Sequence, residues 1–128
     1  GGGIIYPELH YGGDALVGIA LFLALLVDKK CKVSELKPQY SEYFMKKIKI
    51  TLEDSKLIDR SFKVIAENYS ELSPNTEDGV RIDFEDAWVH MRKSNTEPII
   101  RIFAEANSQD IANSYALKIE KEIKSISA

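Results

Sequence analysis

Two arginines, two hydroxyls and one amide fall between positions 92 and 101: Arg92, Ser94, Asn95, Thr96 and Arg101. The run reads Arg92-Lys93-Ser94-Asn95-Thr96-Glu97-Pro98 and closes on Arg101. Its chemistry suits a phosphate. Ser94 and Thr96 offer hydroxyl donors. Asn95 tolerates left-handed backbone angles, which lets successive N–H groups converge on an anion. Each arginine presents a fork of donors to a dianion. Pro98 keeps Glu97 from continuing a helix, and Glu97 reads as an orienter of one arginine or of the loop backbone. The bland reading stays open beside this one. Ser, Asn, Thr and Pro are ordinary turn residues, and an arginine beside a turn is usually a solvated charge.

The elements that must position these residues follow from patterning. Residues 80–91 read as a β-hairpin, with a turn at Glu85-Asp86, and residues 99–106 as a further strand. The run 92–98 is then a polar loop between strands. Phe44, Ile48, Ile50 and Leu52 alternate with Met45, Lys47, Lys49 and Thr51, the pattern of a half-buried strand. Asp54 or Ser55 caps a helix to about Tyr69 with the stripe Ile58, Phe62, Ile65 and Tyr69. Ser108 caps a last helix with Ile111, Tyr115, Ile119, Ile123 and Ile126 on one side. The order is β-α-β-β-β-α. An α+β fold follows, with four antiparallel strands and two helices on one face. Trp88 reads as a packing residue rather than a sugar platform. Lys46, Lys47 and Lys49 read as a solvated face, or as help in attracting a phosphorylated ligand.

Upstream, Asp14 caps a helix over residues 15–30 that is apolar at nearly every position, with Lys29 and Lys30 complementing its C-terminal end. Such a helix expects cover on more than one face. That cover is a missing neighbour, the rest of this chain, or a second copy. Residues 33–43 look like a linker with one short turn, capped by Ser34 and ended by Pro38. The glycines Gly1, Gly2 and Gly3 look like the interior of a loop, or a cloning remnant for Gly1.

The 128 residues fit one domain, with or without an appendage, and the 45% apolar fraction is enough for an ordinary core. Lys and Arg number 17 against 20 Asp and Glu, a net charge of −3. That balance argues against a general nucleic-acid binder. The one cysteine, Cys31, excludes an internal disulfide and makes a cytoplasmic setting the default. The apolar run 15–27 is short of the ~20 residues that span a bilayer, and it lacks a basic face for binding at a membrane surface. No signal peptide is visible. Neither His10 nor Asp14 has metal-ligand company, and Asp54, Asp78 and Asp83 are scattered, so no metal is expected in this chain.

The stretch from Arg92 to Arg101, Arg92-Lys93-Ser94-Asn95-Thr96-Glu97-Pro98-Ile99-Ile100-Arg101, resembles the phosphate-binding loop of the α-D-phosphohexomutases, the superfamily of phosphoglucomutase, phosphomannomutase and phosphoglucosamine mutase. Asp78-Gly79-Val80-Arg81-Ile82 and Ala87-Trp88-Val89 resemble the strands that lead into that loop, and Gly2-Gly3-Ile4-Ile5 the end of the family's sugar-binding loop. The resemblance implies a C-terminal fragment. Residues 1–33 would be the tail of the third, sugar-binding domain, a helical remnant. Residues 34–43 would be the linker, and 44–128 the fourth domain, of TATA-box-binding-protein-like fold. It implies that Arg92, Ser94, Asn95, Thr96 and Arg101 grip the substrate phosphate that is not reacting, with Gly2, Gly3 and His10 as a possible sugar loop. It implies a phosphorylated hexose as substrate and the N-terminal domains of the same protein as partners. Magnesium and the phosphoserine donor would be held by those domains. No catalytic residue lies in this chain, which is expected to be inactive alone. The family often has an arginine where Gly13 stands, which puts a substrate contact there in doubt. Asn95, rather than a glycine, looks more like the phosphoglucosamine and phosphomannose enzymes. A free-standing module for a phosphorylated ligand and a structural interaction domain remain the alternatives.

Overall fold

The computed structural model describes residues 3–52, 54–94 and 96–127. Its chain divides into two compact units, Gly1–Ser41 and Glu42–Ala128.

In the first unit β1 (Ile5–Tyr6) and β2 (His10–Gly13) pair antiparallel, followed by helix α1 (Ala15–Lys29). Asp14 caps α1 by accepting the Val17 N–H at 3.0 Å. Lys30 closes it in the left-handed region, with its N–H on the Val27 carbonyl and that of Cys31 on Leu26, the exit geometry that satisfies the last carbonyls. No residue of α1 is buried; Leu16 is 79% exposed and Val27 76%. The segment read as a linker with one turn is more ordered than that. It holds α2 (Val33–Leu36) and a 3₁₀ turn, Lys37–Gln39. Ser34 does not cap it. Lys32 occupies the cap position, and the Glu35 carboxylate reaches back to the Lys32 N–H at 2.7 Å. Pro38 does not end a helix either; it lies in the first turn of the 3₁₀ segment, where a missing N–H costs nothing. Among the described residues no helix is long and apolar enough to cross a membrane.

The second unit has the expected order: β3 (Phe44–Thr51), α3 (Ser55–Asn68), β4 (Val80–Asp83), β5 (Ala87–Lys93), β6 (Ile99–Ala106) and α4 (Gln109–Ser127). Its four strands run β3-β6-β5-β4, every neighbouring pair antiparallel. Both helices lie on one face. Ile50, Ile100, Ile102, Val89, Met91 and Ile82 bury into that face, where they meet Ile58 and Ile65 of α3 and Ile119 and Ile123 of α4. Each fully buried side chain of this kind contributes about 1.5–3 kcal/mol by leaving water. Ala104, Ala112 and Ala116 are also fully buried; small residues on both sides let α4 lie close to the sheet. Asp54 caps α3 through the Lys56 N–H at 2.8 Å, and Ser108 caps α4 through Ile111 at 3.2 Å. β5 runs two residues past Met91, so Arg92 and Lys93 belong to a strand and not to the loop.

Candidate phosphate-binding site

The other face of the sheet carries the odd positions of β3, β4 and β6 and the even positions of β5. Cross-strand register aligns Lys49, Arg101 and Arg92 in one row at the loop end, all exposed. The next row is Lys47, Phe103, His90 and Arg81. Adjacent like charges in a sheet repel. Three cations side by side therefore favour anionic partners, whether the protein's own carboxylates or a ligand.

The loop after β5 completes the site. The Ser94 N–H donates to the Ile99 carbonyl at 3.1 Å, and Leu52 N–H to the Pro98 carbonyl at 3.0 Å, so both ends of the loop are tied to the sheet. The Thr96 N–H points at the Ser94 hydroxyl, 3.4 Å away, and the two hydroxyls are also 3.4 Å apart. Arg92, Lys93, Ser94, Thr96, Arg101 and Phe103 line one pocket of ≈ 290 Å³. Four of the five residues expected at a phosphate grip thus converge; Asn95 lies outside the described residues. A larger concavity, ≈ 770 Å³, adjoins it between α3 and the 74–80 segment and shares Arg92 and Lys93. Its rim mixes both charges, whereas the smaller pocket is lined by cations, hydroxyls and one ring.

Among the described residues three ion pairs border the pocket; in one, Lys93 Nζ lies 3.2 Å from Asp59 Oδ1. Arg92 Nη2 lies 2.7 Å from Asp78 Oδ2, and Lys49 Nζ 3.6 Å from Glu97 Oε1. Glu97 therefore orients neither arginine. Its carboxylate meets a lysine of β3, while its backbone carbonyl accepts the Ile99 N–H at 2.8 Å. Among the described residues the Arg101 guanidinium has no acidic partner. Trp88 lies half-buried on this open face and outside the core: Arg81 lies over its ring at 4.7 Å, and its N–H donates to Glu105 at 3.1 Å.

The residues offered as a sugar loop are more scattered. Gly2 lies outside the described residues, and Gly3 precedes β1, with nothing within 4 Å of the place a Cβ would occupy. His10 is held within its own turn. Its Nδ1 accepts the Gly12 N–H at 3.0 Å, which leaves the proton on Nε2, 3.0 Å from Asp14 Oδ2. The Asp14 carboxyl is held below its usual range by the Val17 N–H first and by His10 second. A Cβ on Gly13 would also meet nothing within 4 Å, so crowding does not explain the glycine there. Among the described residues no group of three or more His, Cys, Asp or Glu side chains is placed to hold a metal.

The run that begins at Asp78 resembles the family's approach to the loop, but nothing in the sequence pairs Asp78 with Arg92 or sets Phe103 beside the loop. Asp78 reaches Arg92 from 14 positions upstream through the fold, and Phe103 reads as one more strand residue.

Residues 30–122 match the sequence profile of the phosphoglucomutase/phosphomannomutase C-terminal domain. The chain belongs to that family. A phosphoglucosamine/phosphogalactosamine mutase of Sulfurisphaera tokodaii is 37% identical over 125 residues, which cover 96% of this chain and 28% of the relative. A phosphoglucomutase/phosphomannomutase of Thermococcus kodakarensis is 37% identical over 115 residues, covering 89% and 25%. The chain therefore spans about a quarter of the length of these relatives. An N-acetylphosphoglucosamine mutase of Aspergillus fumigatus, solved with GlcNAc-6P and magnesium, matches with a TM-score of 0.58 at 18% identity, over 91% of this chain and 22% of that one. A second structure from that fungus, with glucose 1,6-bisphosphate, gives 0.60 at 16% identity, over 93% and 22%. At those identities the likeness speaks for the fold alone.

Proposed function

We propose that this chain is the C-terminal part of an enzyme that interconverts hexose 6-phosphate and hexose 1-phosphate, and that it grips the substrate phosphate that is not reacting. Arg92, Ser94, Thr96 and Arg101 carry the grip, with Asn95 in the same loop. The observation that carries this reading is the pocket itself. Two opposed arginines, two hydroxyls and a loop tied at both ends face one small volume in a member of the phosphohexomutase family.

The grip works by positioning. A phosphate held at one end of the hexose supplies binding energy remote from the bond that changes, and that energy fixes the other end for reaction. The reacting groups are not in this chain: the proposed donor serine and the magnesium belong to domains outside it. The isolated chain is then inactive, and mutase turnover by it would contradict that part. The same domains would cover the exposed apolar residues of α1. An amino-sugar phosphate is the first substrate to test, on the side of the Sulfurisphaera relative.

All the pocket residues fall within Glu42–Ala128. Phosphate binding is therefore expected without the other domains, which also keeps the free-standing binding module as the second reading. Calorimetric titration of the chain with glucosamine 6-phosphate tests the grip. The expected result is saturable heat that is lost in the double variant Arg92→Ala/Arg101→Ala; heat unchanged in that variant would remove the loop from the account.

A further inference from the structure

The geometry assigns Asp78 as the positioning residue of Arg92: its carboxylate takes one nitrogen of the guanidinium and thereby aims the others at the phosphate pocket. This inference rests on the proposed phosphate grip and adds a residue to it.

The ion pair itself is short, 2.7 Å from Nη2 to Oδ2, yet both side chains are more than half exposed, 52% and 68%. A pair that open to water contributes little to stability. The backbone that carries Asp78 is nevertheless fixed from several directions. His90, two residues before Arg92 and on the same face of β5, places Nε2 2.7 Å from the Asp78 carbonyl. A carbonyl only accepts, so that nitrogen is the donor. Gly79 follows in the left-handed region, φ +82°, and a Cβ there would stand 2.0 Å from the Met91 carbonyl oxygen. Only glycine lets the segment lie this close to β5. Asn75 closes the other end. It exchanges two backbone bonds with Arg81 at 2.9 and 2.8 Å, and its side chain accepts the Glu77 N–H at 2.9 Å. An exposed carboxylate on so constrained a backbone is placed for direction.

Direction is what Arg92 lacks otherwise. A guanidinium on a flexible stem beside Arg101 would be pushed away from its neighbour. With Nη2 engaged by Asp78, the rotamer is chosen and the remaining N–H groups stay available to an anion between the two arginines. Asp78 has a second, opposite effect, since a carboxylate near a phosphate repels it. The sign of its removal decides between them.

Inorganic phosphate and glucosamine 6-phosphate are titrated into the chain and into Arg92→Ala, Asp78→Ala and Asp78→Asn, with the Arg92 side-chain Nε–Hε resonance followed by NMR. If Asp78 positions Arg92, Asp78→Ala weakens binding about two- to fivefold, the scale of one exposed ion pair. Asp78→Asn, which keeps an acceptor oxygen, falls between it and the unmutated chain. The Arg92 resonance of the free Asp78→Ala protein moves toward the value of an unrestrained arginine, while the melting temperature changes little. Binding by Asp78→Ala that equals or exceeds that of the unmutated chain, with Arg92→Ala still impaired, overturns this inference alone. Absence of binding by the unmutated chain overturns the grip and this inference together.

Discussion

Arg92 and Arg101 stand directly opposite each other on β5 and β6, and among the described residues only Arg92 has an acidic partner. Like charges set across a ladder destabilise it by a few tenths of a kcal/mol to about 1 kcal/mol. The pair therefore costs the empty protein something and returns it when a dianion is bound. Arg101→Gln should leave the phosphate-free protein as stable as before, or slightly more so. The same change should cost about 1.5–3 kcal/mol of phosphate binding, the scale of a charge-assisted hydrogen bond. Melting curves with and without phosphate measure both. Lower stability with binding intact would reverse the assignment and make Arg101 structural.

Gly79→Ala should be costly. The left-handed backbone strains any side chain, and the new Cβ would press on the Met91 carbonyl oxygen. A loss of at least about 1–3 kcal/mol is expected in urea denaturation. A stability equal to that of the unmutated chain would mean that the 75–79 segment is free to move away from β5.

Ser61→Ala should be neutral or stabilising. The Ser61 hydroxyl is fully buried on α3, with no hydrogen-bond partner among the described residues. An unpaired buried hydroxyl costs about 1–3 kcal/mol of desolvation, and alanine removes it with little loss of volume. A clear drop in melting temperature would show that the hydroxyl has found a partner, such as a bound water.

The Asp83 carboxyl should titrate below the ordinary aspartate range, because Arg81 donates Nε and Nη2 to it at 2.7–3.2 Å. The sign follows from that depression. The pair's contribution is present above the unfolded-state value of about 3.9, and it is lost as pH falls through the lower folded value. In Arg81→Gln the carboxyl resonance of Asp83 should shift at higher pH, near the ordinary value. A titration that is the same in both proteins would show that the pair does not persist in solution.

Much of the second unit was legible because its strands alternate cleanly. Ile48 and Ile50 against Lys47 and Lys49, and Ile100 and Ile102 against Arg101, reveal both the strand and the face. The last helix was legible as an apolar stripe, but its centre was not. Ala112 and Ala116 are weak signals in a sequence, and burial gives them their meaning. The residues proposed to grip the phosphate could be picked out as a group because they are nearly contiguous. Their supports could not, because they are brought in by register. Lys49 meets Glu97 because β3 ends beside the loop, where Leu52 bonds Pro98. Asp78 meets Arg92 because the hairpin folds the 75–79 segment back on β5. In the 33–39 segment the cap misled. Ser34 is a good capping type, yet Glu35 reaching back to Lys32 starts the helix earlier.

The most direct measurement is an amide NMR titration of the chain with glucosamine 6-phosphate, run beside inorganic phosphate. If the grip is built into this domain, both ligands shift the amides of residues 92–101 saturably, with Ser94, Thr96 and Arg101 among the largest. Titration to millimolar ligand with those amides unmoved would contradict it, and the row of Lys49, Arg101 and Arg92 would then be a solvated face.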